Sequence, residues 1–255
     1  MDNGAVRVRL LGRFEVEGIA ERDLGSRKGR SLLKVLAIAG GAPVSVDRIA
    51  EVLWGDDPPA RPADQVGVLV SRLRGVLGPE RITRSDAGYA LAMDRVDVTE
   101  LGDLAAAASR ARAEGRTGAA RAAATAALAI ARGQLLPDEE GDWIEVERAA
   151  VAATITSLRR VAVEMAEGDG DHVSATALAE QALVADPYDE VVLRSLMRAH
   201  LAAGRPASAL AAYARVRSRL AEDLGVPPTR ETEALHGVAL SAADGDGVSP
   251  AAPVR

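Results

Sequence analysis

The feature that most constrains this chain of 255 residues is a succession of alanine-rich segments that fills everything after about residue 99. Alanine has the highest helix propensity of any residue, whereas glycine and proline end helices. A glycine or a proline follows each of these segments, so the C-terminal part is predicted to consist only of packed helices. The predicted helices lie near residues 100–114, 117–132, 142–167, 172–185, 188–203 and 206–224.

Two of the helix-ending glycines, Gly170 and Gly204, lie 34 residues apart, which is the period of tetratricopeptide repeats. At this offset Ala175 aligns with Ala209, but the first helices lack the aromatic and glycine landmarks of that repeat. An ordinary helical bundle is therefore the alternative. Either arrangement stacks helix pairs and offers a surface to a partner. The last residues, 241–255, have no apolar periodicity and are predicted to be a disordered tail.

The first 98 residues follow another pattern, in which short alternating stretches flank three helical segments. Residues 6–24 and 83–93 alternate as strands do, and the second stretch is predicted to form a hairpin that turns at residues 86–88. Sheet, three helices and hairpin is the order of a winged helix-turn-helix, with a generic small α/β domain as the alternative. The helical segments cover residues 28–39, 45–54 and 62–78.

The third of these helices has one apolar face and an opposite face that is unusual for a surface in contact with water. At about 100° per residue, Val66, Val70 and Leu73 fall on one side and are predicted to pack against the domain. Gly67 and Gly75 each cost about 1 kcal/mol relative to alanine inside a helix. The residues on the opposite face or beside it are Asp64, Val68, Ser71, Arg72, Arg74 and Gly75.

These residue types together fit a helix that enters the major groove of DNA. Bare backbone at the glycines permits close approach to a bulky partner. Arginine donates two parallel hydrogen bonds to guanine or to phosphate, and an exposed valine such as Val68 can contact a thymine methyl group. We therefore interpret the exposed face as a recognition surface, with an ordinary solvent-exposed face as the alternative.

Charge is distributed unevenly along the chain. The net charge is −6, but residues 1–98 carry 15 basic and 14 acidic side chains, whereas the remainder carries 16 and 23. Within the first part, the cluster from Arg27 to Lys34 contains no acid. The N-terminal part is thus locally basic, which fits a DNA-binding surface, with an ordinary solvated face as the alternative. General adhesion to polyanions is not expected of a chain that is acidic overall.

Several function classes are excluded by residue types that are missing. The chain has no cysteine, and its three histidines are scattered without a zinc-binding spacing. The segment GSRKGRS, residues 25–31, lacks the spacing of a phosphate-binding loop. Neighbouring acids at Glu139, Glu140 and Asp142 have no base or nucleophile beside them and are predicted to serve helix capping and solubility. We therefore predict no enzyme, no cofactor and no metal site.

Hydropathy gives no sign of a targeting or membrane segment. The N-terminus has no signal-peptide core, and no apolar run reaches the 18 residues of a transmembrane helix. The sequence therefore predicts a cytoplasmic protein that does not contact a membrane.

The string LWGDDPP, followed by VSRLRGVLG and then GYAL, is specific enough to indicate a family. Together with VRVRLLGRFEVEG before it, it resembles the DNA-binding domain of the Streptomyces antibiotic regulatory protein family. The later stretches DWIEVERAAV and ALVADPYDEVVLRSLMRAHLAAGRPASAL resemble the bacterial transcriptional activator domain of that family. The resemblance implies a mainly α protein, with an OmpR-type winged helix over residues 1–98 and a tetratricopeptide-like domain over residues 99–240.

The resemblance also implies a function. Such a protein would be a sequence-specific activator of transcription, usually of a secondary-metabolite or antibiotic gene cluster. It would bind direct repeats in double-stranded DNA near the −35 element, with a homodimer on the DNA as one arrangement, and would recruit RNA polymerase holoenzyme at the nucleoid. The alternative is a protein-interaction adaptor whose winged helix no longer binds DNA.

The DNA-contacting residues that the resemblance implies begin with Ser71, Arg72 and Arg74 of VSRLR, and Arg72 is the main candidate for a base or phosphate contact. Position 67 is glycine here, where relatives carry a polar residue, so the preferred DNA sequence is expected to differ. In the hairpin, or wing, Thr83 and Arg84 would reach an adjacent minor groove or its phosphates.

Further contacts are implied for two other places in the N-terminal part. Lys28 and Arg30 open the first helix, where basic side chains and the helix N-terminus both attract phosphate. The loop GDDPPAR matches the segment that faces polymerase in this type of winged helix. Asp56 and Asp57 would thus contact a basic surface of the sigma factor, and Arg61 would serve either surface.

Overall fold

The computed structural model describes residues 7–245, which form two compact units. The first unit holds the residues up to Asp103 together with Ala129–Ala153. The second holds Leu104–Leu128 and the residues from Thr154 onward. Between residues 7 and 245, no helix is both long and apolar enough to cross a membrane.

The first unit has the predicted order of a small sheet, three helices and a hairpin. β1 pairs antiparallel with β2 and parallel with β5, while β3 and β4 form the separate hairpin. Hydroxyl caps define the starts of two helices, since Ser26 Oγ accepts from Gly29 N and Ser45 Oγ accepts from Arg48 N. The bounds are β1 Arg7–Arg9, β2 Glu15–Val16, α1 Arg27–Ile38, α2 Val46–Trp54, α3 Pro62–Leu77, β3 Ile82–Ser85, β4 Gly88–Leu91 and β5 Arg95–Val96.

The strand prediction for residues 6–24 is only partly right. Its last residues, Glu21–Leu24, form a 3₁₀ turn in which Asp23 N donates to Ala20 O at 2.8 Å. The single apolar side chain of that turn, Leu24, is buried, so one inward contact replaces the alternation of a strand.

The hairpin has the predicted turn and depends on a glycine at its inner edge. Gly88 has a φ of 131°, a region that side-chain-bearing residues rarely adopt. A Cβ there would lie 1.9 Å from Val44 O, because Tyr89 exchanges two backbone hydrogen bonds with Val44. The wing is thus attached by its backbone to the chain that leads into α2.

The segment Ala129–Ala153 belongs to the first unit, whereas the sequence placed it in the second domain. Leu136 N donates to Leu10 O at 2.9 Å, and Gly12 N donates to Gln134 O at 2.8 Å. This pairing is an isolated antiparallel bridge between Leu11 and Leu135 just after β1, and Leu135 and Leu136 are both buried. The compact unit that contains the winged helix therefore includes residues far beyond position 98.

A buried ion pair joins the same segment to α1. Lys34 Nζ lies 2.6 Å from Glu139 Oε1, and both side chains are largely buried. The ammonium also lies 4.7 Å from the centroid of the Phe14 ring. Neither prediction for these residues is right: Lys34 is not part of an exposed basic cluster, and Glu139 is neither a cap nor a solubility residue.

The remaining helices make up the rest of the chain, and all six predicted segments are helical. The tail prediction is wrong for residues 241–245, which continue the last helix; residues 246–255 lie outside the described residues. The bounds are α4 Asp97–Ala113, α5 Thr117–Ile130, α6 Asp142–Gly168, α7 His172–Ala185, α8 Glu190–Ala202, α9 Pro206–Arg219 with a π-turn at Leu220–Leu224, and α10 Arg230–Gly245.

The 34-residue spacing corresponds to a repeated turn in the second unit. Gly170 and Gly204 have φ values of 70° and 67°, and the residue after each donates its N–H to a carbonyl five positions earlier. Ala175 and Ala209, which the offset aligns, are both fully buried. Small side chains at these positions let successive helices pack closely, as in stacked helical hairpins.

Candidate nucleic-acid interface

The buried face of α3 is the one predicted from the sequence. Val66, Val70, Leu73 and Leu77 are all buried, and Leu69 joins them. This face packs on α1 and α2 and fixes the rotation of α3 about its own axis. The opposite side of the helix is consequently held toward solvent.

The exposed face of α3 combines bare backbone with side chains that can read DNA. Val68 has 45% of its surface exposed, and Ser71 and Arg72 are exposed as well. Arg72 has no ion-pair or hydrogen-bond partner in the described part of the chain. A Cβ at Gly67 or Gly75 would meet no atom of another element within 4 Å. No contact within residues 7–245 therefore requires glycine at these two positions.

Gln65 is an exposed residue of this face that sequence reasoning missed. It stands three residues before Val68 and seven before Arg72, so the three side chains form one row along the helix. A glutamine amide can make two hydrogen bonds to the edge of adenine. The helical period of α3 already places Gln65 on the face opposite the buried residues.

Arg74 has a different role from its neighbour Arg72. Its Nε and Nη2 both donate to Ile82 O, at 2.8 and 2.6 Å. Ile82 is the first residue of β3, so the guanidinium ties α3 to the wing. The DNA contact predicted for Arg74 from the sequence stays a prediction, and within the protein the guanidinium positions the wing against α3.

The wing presents the two residues that were predicted for it. Thr83 and Arg84 are exposed on β3, and the Arg84 guanidinium lies 5.6 Å from the centroid of the Tyr89 ring. Such a contact holds the side chain over the hairpin without neutralising its charge. Arg84 therefore remains available to an anionic partner.

The two basic residues predicted to contact phosphate at the start of α1 differ in the same way. Lys28 is exposed and its Nζ lies 4.8 Å from the Trp54 ring centroid. Arg30 instead donates to Gly25 O at 2.7 Å and lies 3.5 Å from a carboxylate oxygen of Glu21. Lys28 keeps the phosphate-binding potential that the sequence predicted, whereas the Arg30 guanidinium binds within the fold.

The loop between α2 and α3 exposes its acids. Asp56 and Asp57 are exposed and form no ion pair among the residues from 7 to 245. Arg61 immediately precedes α3 and lies 3.8 Å from Asp64, with both side chains largely in solvent. At that exposure the pair contributes little to stability, so both groups can exchange partners.

One carboxylate of the first unit, Asp97, has a shifted pKa. Asp97 accepts hydrogen bonds from Leu10 N and Leu11 N, each at 2.9 Å. Burial raises the pKa of Asp97, and these backbone hydrogen bonds oppose the rise. The contact joins the end of β1 to the start of α4.

Two family models match this chain. The model of the bacterial transcriptional activator domain matches residues 96–239, and the model of the transcriptional regulatory protein C-terminal domain matches residues 23–91. The chain belongs to the Streptomyces antibiotic regulatory protein family. The second match covers α1, α2, α3 and the hairpin, which are the elements that carry the exposed surface described above.

Individual relatives agree with this membership. The chain is 32% identical to the regulatory protein AfsR of Streptomyces griseus over 91% of its own length, but spans only about a quarter (24%) of that protein. It is 33% identical to the transcriptional regulatory protein EmbR of Mycobacterium tuberculosis over 83% of its length and 57% of that protein. It is 27% identical to DnrI of Streptomyces peucetius, with 86% of each chain covered.

A solved structure shares the fold. The structure of Mycobacterium tuberculosis EmbR in complex with a low-affinity phosphopeptide superposes with a TM-score of 0.79 and 27% identity. The match covers 92% of this chain and 65% of that one. A mainly α protein with an N-terminal winged helix and a helical activator domain is thus confirmed, and the function of this family is regulation of transcription.

Proposed function

We propose that this chain is a sequence-specific DNA-binding activator of transcription that places α3 in the major groove. One observation carries the proposal: on the exposed face of α3, and among the residues that the structure describes, Arg72 has no partner and no contact requires glycine at Gly75. Gln65 and Val68 would read bases from the same row, while Ser71 contacts base or backbone.

The wing and the start of α1 would supply contacts to the sugar–phosphate backbone. Arg84 and Thr83 would reach the adjacent minor groove or its phosphates, and Lys28 would contact phosphate near the N-terminus of α1. We assign Arg61 to either DNA or polymerase. Arg74 and Arg30 take part by holding the wing and α1 in position.

We further propose that the target is a pair of direct repeats near the −35 element of a secondary-metabolite or antibiotic gene cluster. Each repeat would take one chain, with a homodimer forming on the DNA. The family membership and the identity to DnrI and AfsR support this assignment. The protein would act in the cytoplasm, at the nucleoid.

A footprint on the DNA upstream of the neighbouring gene cluster tests the proposal, combined with electrophoretic shifts at increasing salt. Protected repeats are expected, and the logarithm of affinity should fall by about 0.9 per phosphate contact for each tenfold rise in salt. An adaptor that has lost DNA binding would retain no duplex at any salt concentration, and that result would overturn the proposal.

The exposed acids of the loop between α2 and α3 are proposed to contact a basic surface of the sigma factor. Replacing both, Asp56→Asn with Asp57→Asn, should leave the footprint intact and abolish most activation in transcription with purified holoenzyme. Loss of DNA binding in this variant, or full activation by it, would remove the loop from the polymerase interface.

A further inference from the structure

A second set of exposed arginines lies in the second unit. From residue 191 to residue 221 the sequence has six arginines and no aspartate or glutamate, although residues 99–255 carry 16 basic and 23 acidic side chains. The basic charge is therefore concentrated in one stretch of an acidic region. Three members on the C-terminal half of α9 are exposed and form no ion pair in the described part of the chain: Arg215, Arg217 and Arg219.

Two of these arginines line a groove of about 470 Å³ between α7 and α9. Val216 is buried and Leu183 is half-buried, so they form an apolar floor. Val184 stands at the edge with 84% of its surface exposed, next to this apolar floor. Arg215 and Arg219 occupy the α9 side. The other lining residues are Glu180 and Pro187.

Both sides of this α7–α9 groove are held by specific contacts. Asp171 caps the start of α7 by accepting a hydrogen bond from Ser174 N at 3.0 Å. Tyr188 Oη, in the turn after α7, donates to Asp223 in the turn after α9 at 2.9 Å. The end of the groove is thereby fixed before any partner arrives, which lowers the entropic cost of binding.

We propose that the α7–α9 groove binds an acidic amphipathic helix of a partner protein. The apolar stripe of that helix would cover Val184, Leu183 and Val216. Carboxylates along its edge would pair with Arg215 and Arg219, whose planar guanidinium groups suit two-point binding of carboxylates. This arrangement removes apolar surface from water and neutralises two charges that form no ion pair among residues 7–245.

Charge favours such a partner over a second copy of this chain. In a symmetric dimer the same patch is present on both sides of the interface. Arg215 and Arg219 of one copy would then approach the same arginines of the other, and Glu180 is the single acid among the lining residues.

Fluorescence anisotropy with the full chain tests the proposal. The probe is a labelled peptide of about 16 residues with leucine at positions i, i+3, i+4 and i+7 and glutamate on both flanks. Saturable binding is expected, and the same peptide with lysine at each glutamate position should bind at least about tenfold more weakly. Arg215→Ser combined with Arg219→Ser should weaken the acidic peptide by about tenfold or more.

Matched variants separate the groove from general charge and hydrophobicity. Arg205→Ser combined with Arg217→Ser removes the same charge from residues that do not line the groove, and should leave affinity within about twofold. Val184→Ser should weaken binding severalfold. Val173→Ser, on the same helix and similarly exposed at 80%, should not. Circular dichroism checks that each variant is folded.

Three results would overturn the proposal. The first is equal affinity for the acidic and the basic peptide, and the second is no saturation up to about 1 mM. The third is a dimer in sedimentation that the Arg215→Ser and Arg219→Ser pair dissolves, since this would assign the groove to a second copy. None of them bears on DNA binding by α3.

Discussion

Helices α3 and α9 both present unpaired arginines to solvent, but the residues beside those arginines differ. On α3, Arg72 stands next to Gly75 on a convex face, where glycine leaves the backbone uncovered by a side chain. On α9, Arg215 and Arg219 border a concave groove with an apolar floor. The two surfaces therefore suit partners of opposite shape.

The difference teaches what the accompanying residues contribute to recognition. A DNA groove is wide enough for a helix backbone, and its walls are rigid phosphate chains, so side chains that add bulk without contacts are a hindrance. A protein helix instead brings its own apolar side chains, which need a concavity to be buried in. Arginine supplies charge in both cases, and its surroundings select the partner.

The largest expected effect comes from removing the arginine on α3. Arg72→Ala should cost about 1–3 kcal/mol of binding free energy on the cognate DNA, because a bidentate base or phosphate contact is lost. Quantitative electrophoretic shifts on the protected repeat measure this. Arg217→Ala on α9 is the matched control and should leave DNA affinity unchanged. Equal losses of affinity in the two variants would show that α3 does not contact DNA more than α9 does.

Arg74 offers a sharper comparison because it lies two residues from Arg72 on the same helix. Arg74→Ala should lower the free energy of unfolding by about 1–2 kcal/mol, since a half-buried charged donor to Ile82 O disappears. Urea denaturation measures this effect. The exposed Arg72→Ala should change stability by less than about 0.5 kcal/mol. Unaltered stability of Arg74→Ala would show that the guanidinium does not hold the wing.

The sequence predicts those features that depend on residues close together along the chain. The apolar residues of α3 recur with the helical period, so Val66, Val70 and Leu73 predict which face is buried and hence which face is free. The hairpin is likewise encoded in adjacent residues around Gly88. The same helical period also places Gln65 on the exposed face, in one row with Val68 and Arg72.

The part that the sequence does not predict depends on residues distant along the chain. Lys34 and Glu139 are 105 positions apart, and neither carries a local sign of burial or of pairing. The backbone pairing of Leu10 with Leu136 does not depend on side-chain type, so no sequence motif predicts it. The double donation from Arg74 to the wing is equally hidden, because an exposed arginine and a positioning arginine look alike in a sequence.

A smaller effect is expected at the glycine that distinguishes α3. Gly75→Ala should raise the free energy of unfolding by about 0.4–1 kcal/mol, since alanine restricts the unfolded chain and its Cβ meets no other element. The added methyl group should at the same time weaken DNA binding. Thermal unfolding and electrophoretic shifts measure the two changes. If Gly75→Ala stabilises the protein without lowering its affinity for DNA, close approach of α3 to the major groove does not require glycine at position 75.

The smallest effect concerns α7, which forms one side of the groove in the second unit. Hydrogen bonds to Asp171 from Ser174, followed by the one from Arg121, lower the pKa of Asp171 from 3.8 to about 2. The folded state thus holds Asp171 ionised where the unfolded chain would protonate it. This contribution to stability is complete above about pH 4 and is lost as pH falls through about 2.

Asp171→Asn retains a capping side chain but cannot ionise. Its unfolding free energy should therefore decline less steeply than that of the wild type between these two pH values, in urea titrations at each pH. Parallel curves for the two proteins would mean that the Asp171 cap does not depend on its charge, and the pH sensitivity of the α7 side of the groove would have to arise elsewhere.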